Sequence, residues 1–298
     1  MKWNQAQIPD QKGRIAIVTG SNTGIGFETA RALAAKGADV ILACRNREKA
    51  AAAMQRIEAD KPAGIVTVKQ LDLSDLASIH AFVNAFKAEH DHLDLLINNA
   101  GVMVPPQRQE TSDGFELQFG VNHLGHFALT GLLLDSLGKR PGARVVTVSS
   151  LAHKFGRMDF EDPNWVKRKY AKWESYGQSK LANLLFHFQL DHMLKADRSD
   201  VKAVAAHPGW TQTDLQRHTS LSNMLSPLFG MKPWQGALPT LRAAVDPGVE
   251  GGEYFGPASC FELRGYPVPV DTTSAARKTE DMRKLWNLSE RFTKVRFH

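Results

Sequence analysis

Cysteine is scarce in this chain of 298 residues: Cys44 and Cys260 are the only two. They build no disulfide framework, and their scarcity fits a reducing compartment. No uninterrupted apolar run approaches the ~20 residues that a membrane span requires. The amino terminus, "MKWNQAQIPDQKGR", also lacks the apolar core of a secretory signal. A cytoplasmic protein with no membrane span is therefore expected. Linkers rich in Gly, Ser or Pro, internal repeats and low-complexity tracts are missing too, so nothing divides residues 1–298 into separate domains. The hydrophobic content of 43% is ample for one large core.

Charge of one sign is in excess, but locally. The formal charge is +6, and residues 277–298 carry seven Lys/Arg against three acids. A solvated, frayed terminal helix accounts for that excess without a partner. A second basic run, "KRKYAK" at 167–172, lies among Trp165, Tyr170 and Trp173, an interleaving that suits single-stranded nucleic acid. No nucleic-acid module surrounds it, and no nucleic-acid partner is expected.

Short β-rich apolar runs alternate with amphipathic stretches, the pattern of βαβ units in a parallel sheet. Strands are predicted near residues 14–18, 39–43, 65–70, 93–98, 144–149, 201–206 and 253–256, and helices near 26–35, 47–59, 76–89, 114–137, 176–195 and 235–245. The expected fold is α/β: a single doubly wound (Rossmann) domain with a mostly parallel seven-stranded sheet flanked by helices. Its cofactor-binding half spans 14–150; residues 151–298 hold the Tyr/Lys helix, a lid and the tail. Two segments interrupt the alternation. Residues 151–175 are polar and aromatic, and residues 214–234 carry Leu221, Met224, Leu225, Leu228, Phe229, Met231 and Trp234. Insertions after the carboxyl ends of strands are where open α/β sheets bind ligands, so both are placed to cover a substrate. The same apolar side chains suit packing on the core or on a second subunit equally well.

The first predicted strand runs into "TGSNTGIG", residues 19–26. Gly20, Gly24 and Gly26 permit a tight turn, close approach of amide N–H groups to a pyrophosphate, and close packing of helix on strand. The next informative feature is again an absence. An acid at the end of the second strand would hold the ribose hydroxyls of NAD, yet "LACRN" offers none there. A planar guanidinium suits a 2′-phosphate, so NADP(H) is the expected cofactor, with Arg45 the main contact and Arg47 a second. After the third strand, Asp72 is placed to accept from the adenine amino group, with the backbone of Leu73 beside it. After the fourth, "NNAG" (98–101) sets Asn98 and Asn99 to bond adjacent strands, and Gly101 admits a cofactor closely.

Residues 176–180 read "YGQSK". On a helix Tyr176 and Lys180 share one face. A phenol titrates near pH ~10, and a cation beside it favours the phenolate and lowers that value. The pair is thus expected to make a usable proton donor. His123 and His126 are three apart, but no further ligand motif supports a metal there. His153, His207 and His218 read as buried or capping residues flanking the site.

Taken in order, "TGSNTGIG", Asp72, "NNAG", Asn122 in "VNHLGHF", Ser149 and Ser150, "YGQSK" and "HPGWTQT" (207–213) resemble the short-chain dehydrogenase/reductase family over nearly the whole chain. Within it, "LACRN", "VNHLGHFALT" and the excursion before Tyr176 look like the branch of retinol dehydrogenases and related oxidoreductases of lipophilic alcohols and aldehydes. The same stretches are similar, more loosely, to light-dependent protochlorophyllide reductases. The resemblance implies NADP(H) contacts at Gly20, Asn22, Thr23, Gly24, Ile25, Gly26, Arg45, Asp72, Leu73, Asn99, Ala100, Gly101, Tyr176, Lys180, Pro208, Gly209 and Thr213. It also implies a catalytic set of Asn122, Ser150, Tyr176 and Lys180 and no metal. In that set Tyr176 gives its proton to the carbonyl oxygen as hydride arrives, Lys180 lowers the phenol's pKa and bonds the nicotinamide ribose, Ser150 orients the carbonyl, and Asn122 anchors a water.

The expected activity is an NADPH-dependent interconversion of carbonyl and alcohol on a small lipophilic substrate. A nucleotide-sensing or interaction module with little catalysis, and a reductase of C=C bonds, are the alternatives. The resemblance further implies a homo-oligomer, unless the basic tail covers the face that relatives use.

Overall fold

The computed structural model describes residues 2–212 and 230–297. Among them, one sheet contains β1 (Ile15–Thr19), β2 (Asp39–Cys44), β3 (Val66–Gln70), β4 (Leu95–Asn98), β5 (Arg144–Val148), β6 (Lys202–Ala206), β7 (Tyr254–Ser259) and β8 (Arg264–Pro269), in the order β3-β2-β1-β4-β5-β6-β7-β8. The helices are α1 (Gly24–Ala35), α2 (Arg47–Ala59), α3 (Leu76–Glu89), α4 (Leu117–Phe119), α5 (Gly125–Gly138), α6 (Lys172–Ala196), α7 (Pro233–Gly236), α8 (Leu238–Val245) and α9 (Thr279–Thr293). A π turn, Gly120–Leu124, joins α4 to α5.

The central strands are buried on both faces, which is why they read as continuous apolar runs rather than alternating ones. Successive side chains still part company. Ala16 and Val18 enter a core shared with Leu33 of α1, Ile57 of α2 and Leu241 of α8. Ile17 enters the opposite core, with Phe82 of α3, Phe127 of α5 and Phe186 of α6. The result is a single Rossmann-like α/β domain of three layers. From β1 the chain winds outward to β3 and then returns to β4 on β1's other edge. Between the carboxyl ends of β1 and β4 the winding therefore reverses, and a crevice opens there.

Two expectations are corrected. The sheet has eight strands rather than seven, because "RGYPVP" forms β8, antiparallel to β7. Proline argues against a strand, but β8 is the outer edge, where a missing N–H costs no ladder bond on the open side. The tail is not frayed. Met282, Leu285, Trp286 and Leu288 of α9 are buried while Arg283 and Lys284 face outward. Trp286 meets Phe127 of α5 and Phe186 of α6, with ring centroids 5.0 and 5.9 Å away. Its basic charge is thus the outer face of an amphipathic helix that packs over α5 and α6. No helix among the described residues is long and apolar enough to cross a membrane.

Candidate active site

The crevice is a cleft of about 450 Å³. At one end β1 gives way to a turn in which Gly20 and Gly24 take left-handed backbone, φ 64° and 59°. A Cβ on Gly20 would stand 2.9 Å from Ala100, and one on Gly26 would stand 2.5 Å from the Asn99 amide. Helix, turn and the 98–101 loop meet too closely for side chains at these two positions. Thr19 sews them together: its hydroxyl accepts the N–H groups of Asn99 and Ala100, each at 2.9 Å, while Asn99 Nδ2 donates to the Thr19 carbonyl at 2.8 Å. Asn22, Thr23, Gly24, Ile25 and Gly26 line the cleft at the amino end of α1, whose first turn carries no acid. The amino end of a helix, with its dipole, suits an anion.

Arg45, just past β2, lines the cleft from an exposed position and has no ion-pair partner among the described residues. Arg47 does not join it. As the first residue of α2 it borders a separate surface groove with Lys69 and Gln70, and Lys49, in the first turn of the same helix, lines the cleft in its place.

At the other end stand Ser150, Tyr176 and Lys180, with Pro208 and Gly209 opposite. Helix α6 is buried from Ser175 to Phe188, so neither Tyr176 nor Lys180 is a surface residue. Gly177 makes this possible: a Cβ there would meet Phe155 at 2.9 Å, and a Cβ on Gly156 would lie 2.2 Å from the Gly177 carbonyl. The short helical turn Leu151–Phe155 therefore lies flat on α6 and holds Ser150 against the phenol. The serine pair divides its work, since Ser149 Oγ donates to the Lys180 carbonyl at 2.8 Å and braces the helix.

The electrostatics reverse one expectation. Burial pushes the Tyr176 phenol up to about 12, only partly offset by the hydrogen bond with Ser150, and Lys180 is not among the causes. Burial likewise brings Lys180 down to about 8. Its Nζ donates to the Val148 carbonyl at 3.2 Å and lies 5.8 Å from the centroid of the tyrosine ring. Desolvation outweighs the cation at this distance.

Other expected residues lie outside the cleft wall. Asp72 Oδ1 accepts from the backbone N–H and hydroxyl of Ser74, at 2.9 and 2.6 Å, and Leu73 is buried beneath Gly125. The Asn122 side chain is a brace: Oδ1 accepts from Val102 N–H at 2.8 Å, and Nδ2 donates to the Val102 carbonyl and Ser179 Oγ. The Asn122 carbonyl accepts Nδ1–H of His126 at 3.1 Å, which leaves Nε2 to accept from the Thr19 hydroxyl at 2.9 Å. His126 thus ties the π turn to the dinucleotide-type turn, a link between residues with no shared motif. His123 bonds Ser289 of α9. His153 and His207 are buried behind the cleft. Thr213, His218 and the apolar residues Leu221, Met224, Leu225, Leu228 and Phe229 lie outside the described residues. Met231 is 2% exposed and paired with Thr211, and Trp234 borders a groove beside α1, so neither covers the cleft.

Residues 14–223 match the family described as short chain dehydrogenase. The chain is 44% identical to mouse retinol dehydrogenase 12 over 288 residues, covering 95% of this chain and 86% of that protein. It is likewise 44% identical to human retinol dehydrogenase 11, with the same coverage over 289 residues. Among solved structures, an uncharacterised protein from Mycobacterium paratuberculosis shares 42% identity over 100% of both chains, with a TM-score of 0.85. A Shigella flexneri short chain dehydrogenase complexed with NADP has the same fold at 22% identity and a TM-score of 0.68, over 83% of this chain and 98% of that one. Cleft, sheet order and sequence agree, and the chain belongs to the short-chain dehydrogenase/reductase family, in its retinol dehydrogenase branch.

Proposed function

We propose that the protein is an NADPH-dependent oxidoreductase that interconverts a carbonyl and an alcohol on a lipophilic substrate, with Tyr176 as the acid in reduction and the base in oxidation. One observation carries the reading: a single cleft holds an anion-receptive helix terminus at one end and Ser150, Tyr176 and Lys180 at the other. A bound nicotinamide supplies the hydride. The chain's own residues do the remaining work. The amino end of α1 receives the pyrophosphate, and Arg45 with Lys49 receives a 2′-phosphate. Ser150 and Tyr176 hold the carbonyl oxygen, and the phenol, protonated at neutral pH, gives that oxygen its proton. Val102 and Met103 line the cleft as apolar side chains, and Met103 packs beside Tyr176, which supports a lipophilic substrate. The relatives named as retinol dehydrogenases point to the same class.

Following NADPH oxidation against a panel of medium- and long-chain aldehydes and ketones tests this directly. Turnover is expected with apolar members, slower with NADH, and Arg45→Asp should raise the KM for NADPH about 10- to 100-fold by removing charge-assisted bonds. No turnover of any member would refute the activity, and tighter NADH binding by the parent would refute the cofactor assignment.

The pH profile should carry the Lys180 signature. With its pKa at about 8, the ammonium is lost as pH rises through that value, so kcat/KM for reduction should be flat below about pH 7 and fall above about pH 8. Alcohol oxidation should instead rise gradually with pH without levelling off near pH ~8, because it needs the phenolate and the phenol stands at about 12. A reduction profile with no inflection between about pH 7 and 9 would contradict the placement of Lys180 beside the reacting atoms.

A further inference from the structure

The turn between β7 and β8 is costly in backbone terms. Cys260, Phe261 and Glu262 are three consecutive non-glycine residues in the left-handed region, with φ of 53°, 55° and 64°. Packing does not repay this cost, because Cys260 is exposed and Phe261 is 95% exposed. What the turn achieves is to aim Glu262 inward. One carboxylate oxygen accepts from Lys154 Nζ at 2.8 Å and the other from His207 Nε2 at 2.9 Å. Lys154 belongs to the short turn that begins at Ser150, and His207 immediately precedes Pro208 and Gly209. One carboxylate therefore joins both sides of the catalytic end of the cleft.

The chemistry of His207 makes the connection specific. Gly209 N–H donates to Nδ1 at 3.2 Å, so that nitrogen holds a lone pair and the ring proton resides on Nε2, where Glu262 accepts it. The ring cannot turn away, since Gly256 lies against it so closely that a Cβ there would stand 2.0 Å from Nε2. Gly209 itself has φ 63°, with the Leu263 carbonyl 2.6 Å from where its Cβ would be. The carboxylate thus selects a tautomer, the tautomer holds the Gly209 amide, and that amide sets one wall of the cleft. The hydrogen bond from His207, with the charge-assisted bond from Lys154, holds the Glu262 carboxyl down at about 2, so it stays charged across the working range.

We propose that Glu262 is a positioning residue that clamps the two walls of the cleft's catalytic end through His207 and Lys154. The proposal rests on the dehydrogenase reading of that cleft for its kinetic consequence only. It is tested with the full chain and its Glu262→Ala, Glu262→Gln and Lys154→Met variants. The readouts are kcat/KM for carbonyl reduction, NADPH affinity by fluorescence titration, and the ¹⁵N signals of the His207 ring after histidine labelling. Glu262→Ala should lower kcat/KM about 10- to 100-fold, as small misplacements of a reacting wall do. It should also weaken NADPH binding and mix the His207 tautomers. Glu262→Gln keeps an acceptor for Nε2–H, so it should retain a single tautomer and recover most of the activity; Lys154→Met should lose less than Glu262→Ala. Parental kinetics in Glu262→Ala, or a loss of activity with the His207 signals unchanged, would overturn the clamp. If the parent turns over no carbonyl, the activity reading fails by itself, and the tautomer and NADPH affinity in Glu262→Ala still decide for or against the clamp.

Discussion

Tyr176→Phe is expected to lower kcat/KM for carbonyl reduction by about 10²- to 10⁴-fold, the usual worth of a positioned proton donor. The fold should survive the change. The Tyr176 ring packs with Val104 and Ala152 and meets Trp173 edge-on at 6.5 Å, contacts that phenylalanine keeps. Only the hydroxyl and its bond to Ser150 are lost, so the melting temperature should stay within a few degrees of the parent and NADPH affinity should change little. That division between chemistry and binding is the informative part. A phenylalanine variant as fast as its parent would remove the phenol from the mechanism. A variant that is slow only because it no longer binds NADPH would make Tyr176 a cofactor contact rather than the acid.

Acidification should unfold the protein chiefly by protonating its buried histidines. Burial holds His123 down to about 3, His126 to about 4 and His187 to about 3, each neutral in the folded chain. In the unfolded chain each binds a proton near pH ~6.5. The unfolded state therefore takes up more protons as pH falls below that value, and stability rises with pH and falls on acidification. Stability from these groups is fully present above about pH 6.5 and is lost progressively towards about pH 4, where three such groups together forfeit on the order of 10 kcal/mol. That is the whole stability of an ordinary domain, so a melting temperature followed from pH 7 to 4 should collapse between about pH 5 and 4. His187 offers a control. Among the described residues neither ring nitrogen has a hydrogen-bond partner at ordinary distance, and of the influences on its pKa only the Gly252 backbone raises it, so His187→Leu should raise the melting temperature at pH ~5 more than at pH ~7. A melting temperature independent of pH across this range would show that these rings reach water in the folded chain.

Much of this site is legible in the sequence because its parts are contiguous. A glycine turn at a strand end, "NNAG" at another, and a tyrosine four residues before a lysine each place their own atoms through local geometry. The cleft gathers most of these motifs. What the sequence hides is of two kinds. Links such as His126 to Thr19 and Glu262 to Lys154 join residues 107 and 108 positions apart, and only the fold makes them neighbours. The direction of a pKa is hidden for a different reason. The spacing of Tyr176 and Lys180 reveals a charge beside a phenol, but not that both are removed from water, and here removal from water wins. The same blindness explains the tail: a count of charges over residues 277–298 reads as solvated, while Met282, Leu285 and Trp286 anchor it.

The prolines of the outermost strand have one more consequence. An uncovered sheet margin is a template on which another chain can pair, and long flat margins seed fibrils. Pro267 and Pro269 remove two donors from that margin, and a register shift between Pro257 and Ser259 distorts the strand behind it. Recruitment of a stray β-segment at this flank is thereby discouraged, which helps keep a large hydrophobic sheet from polymerising.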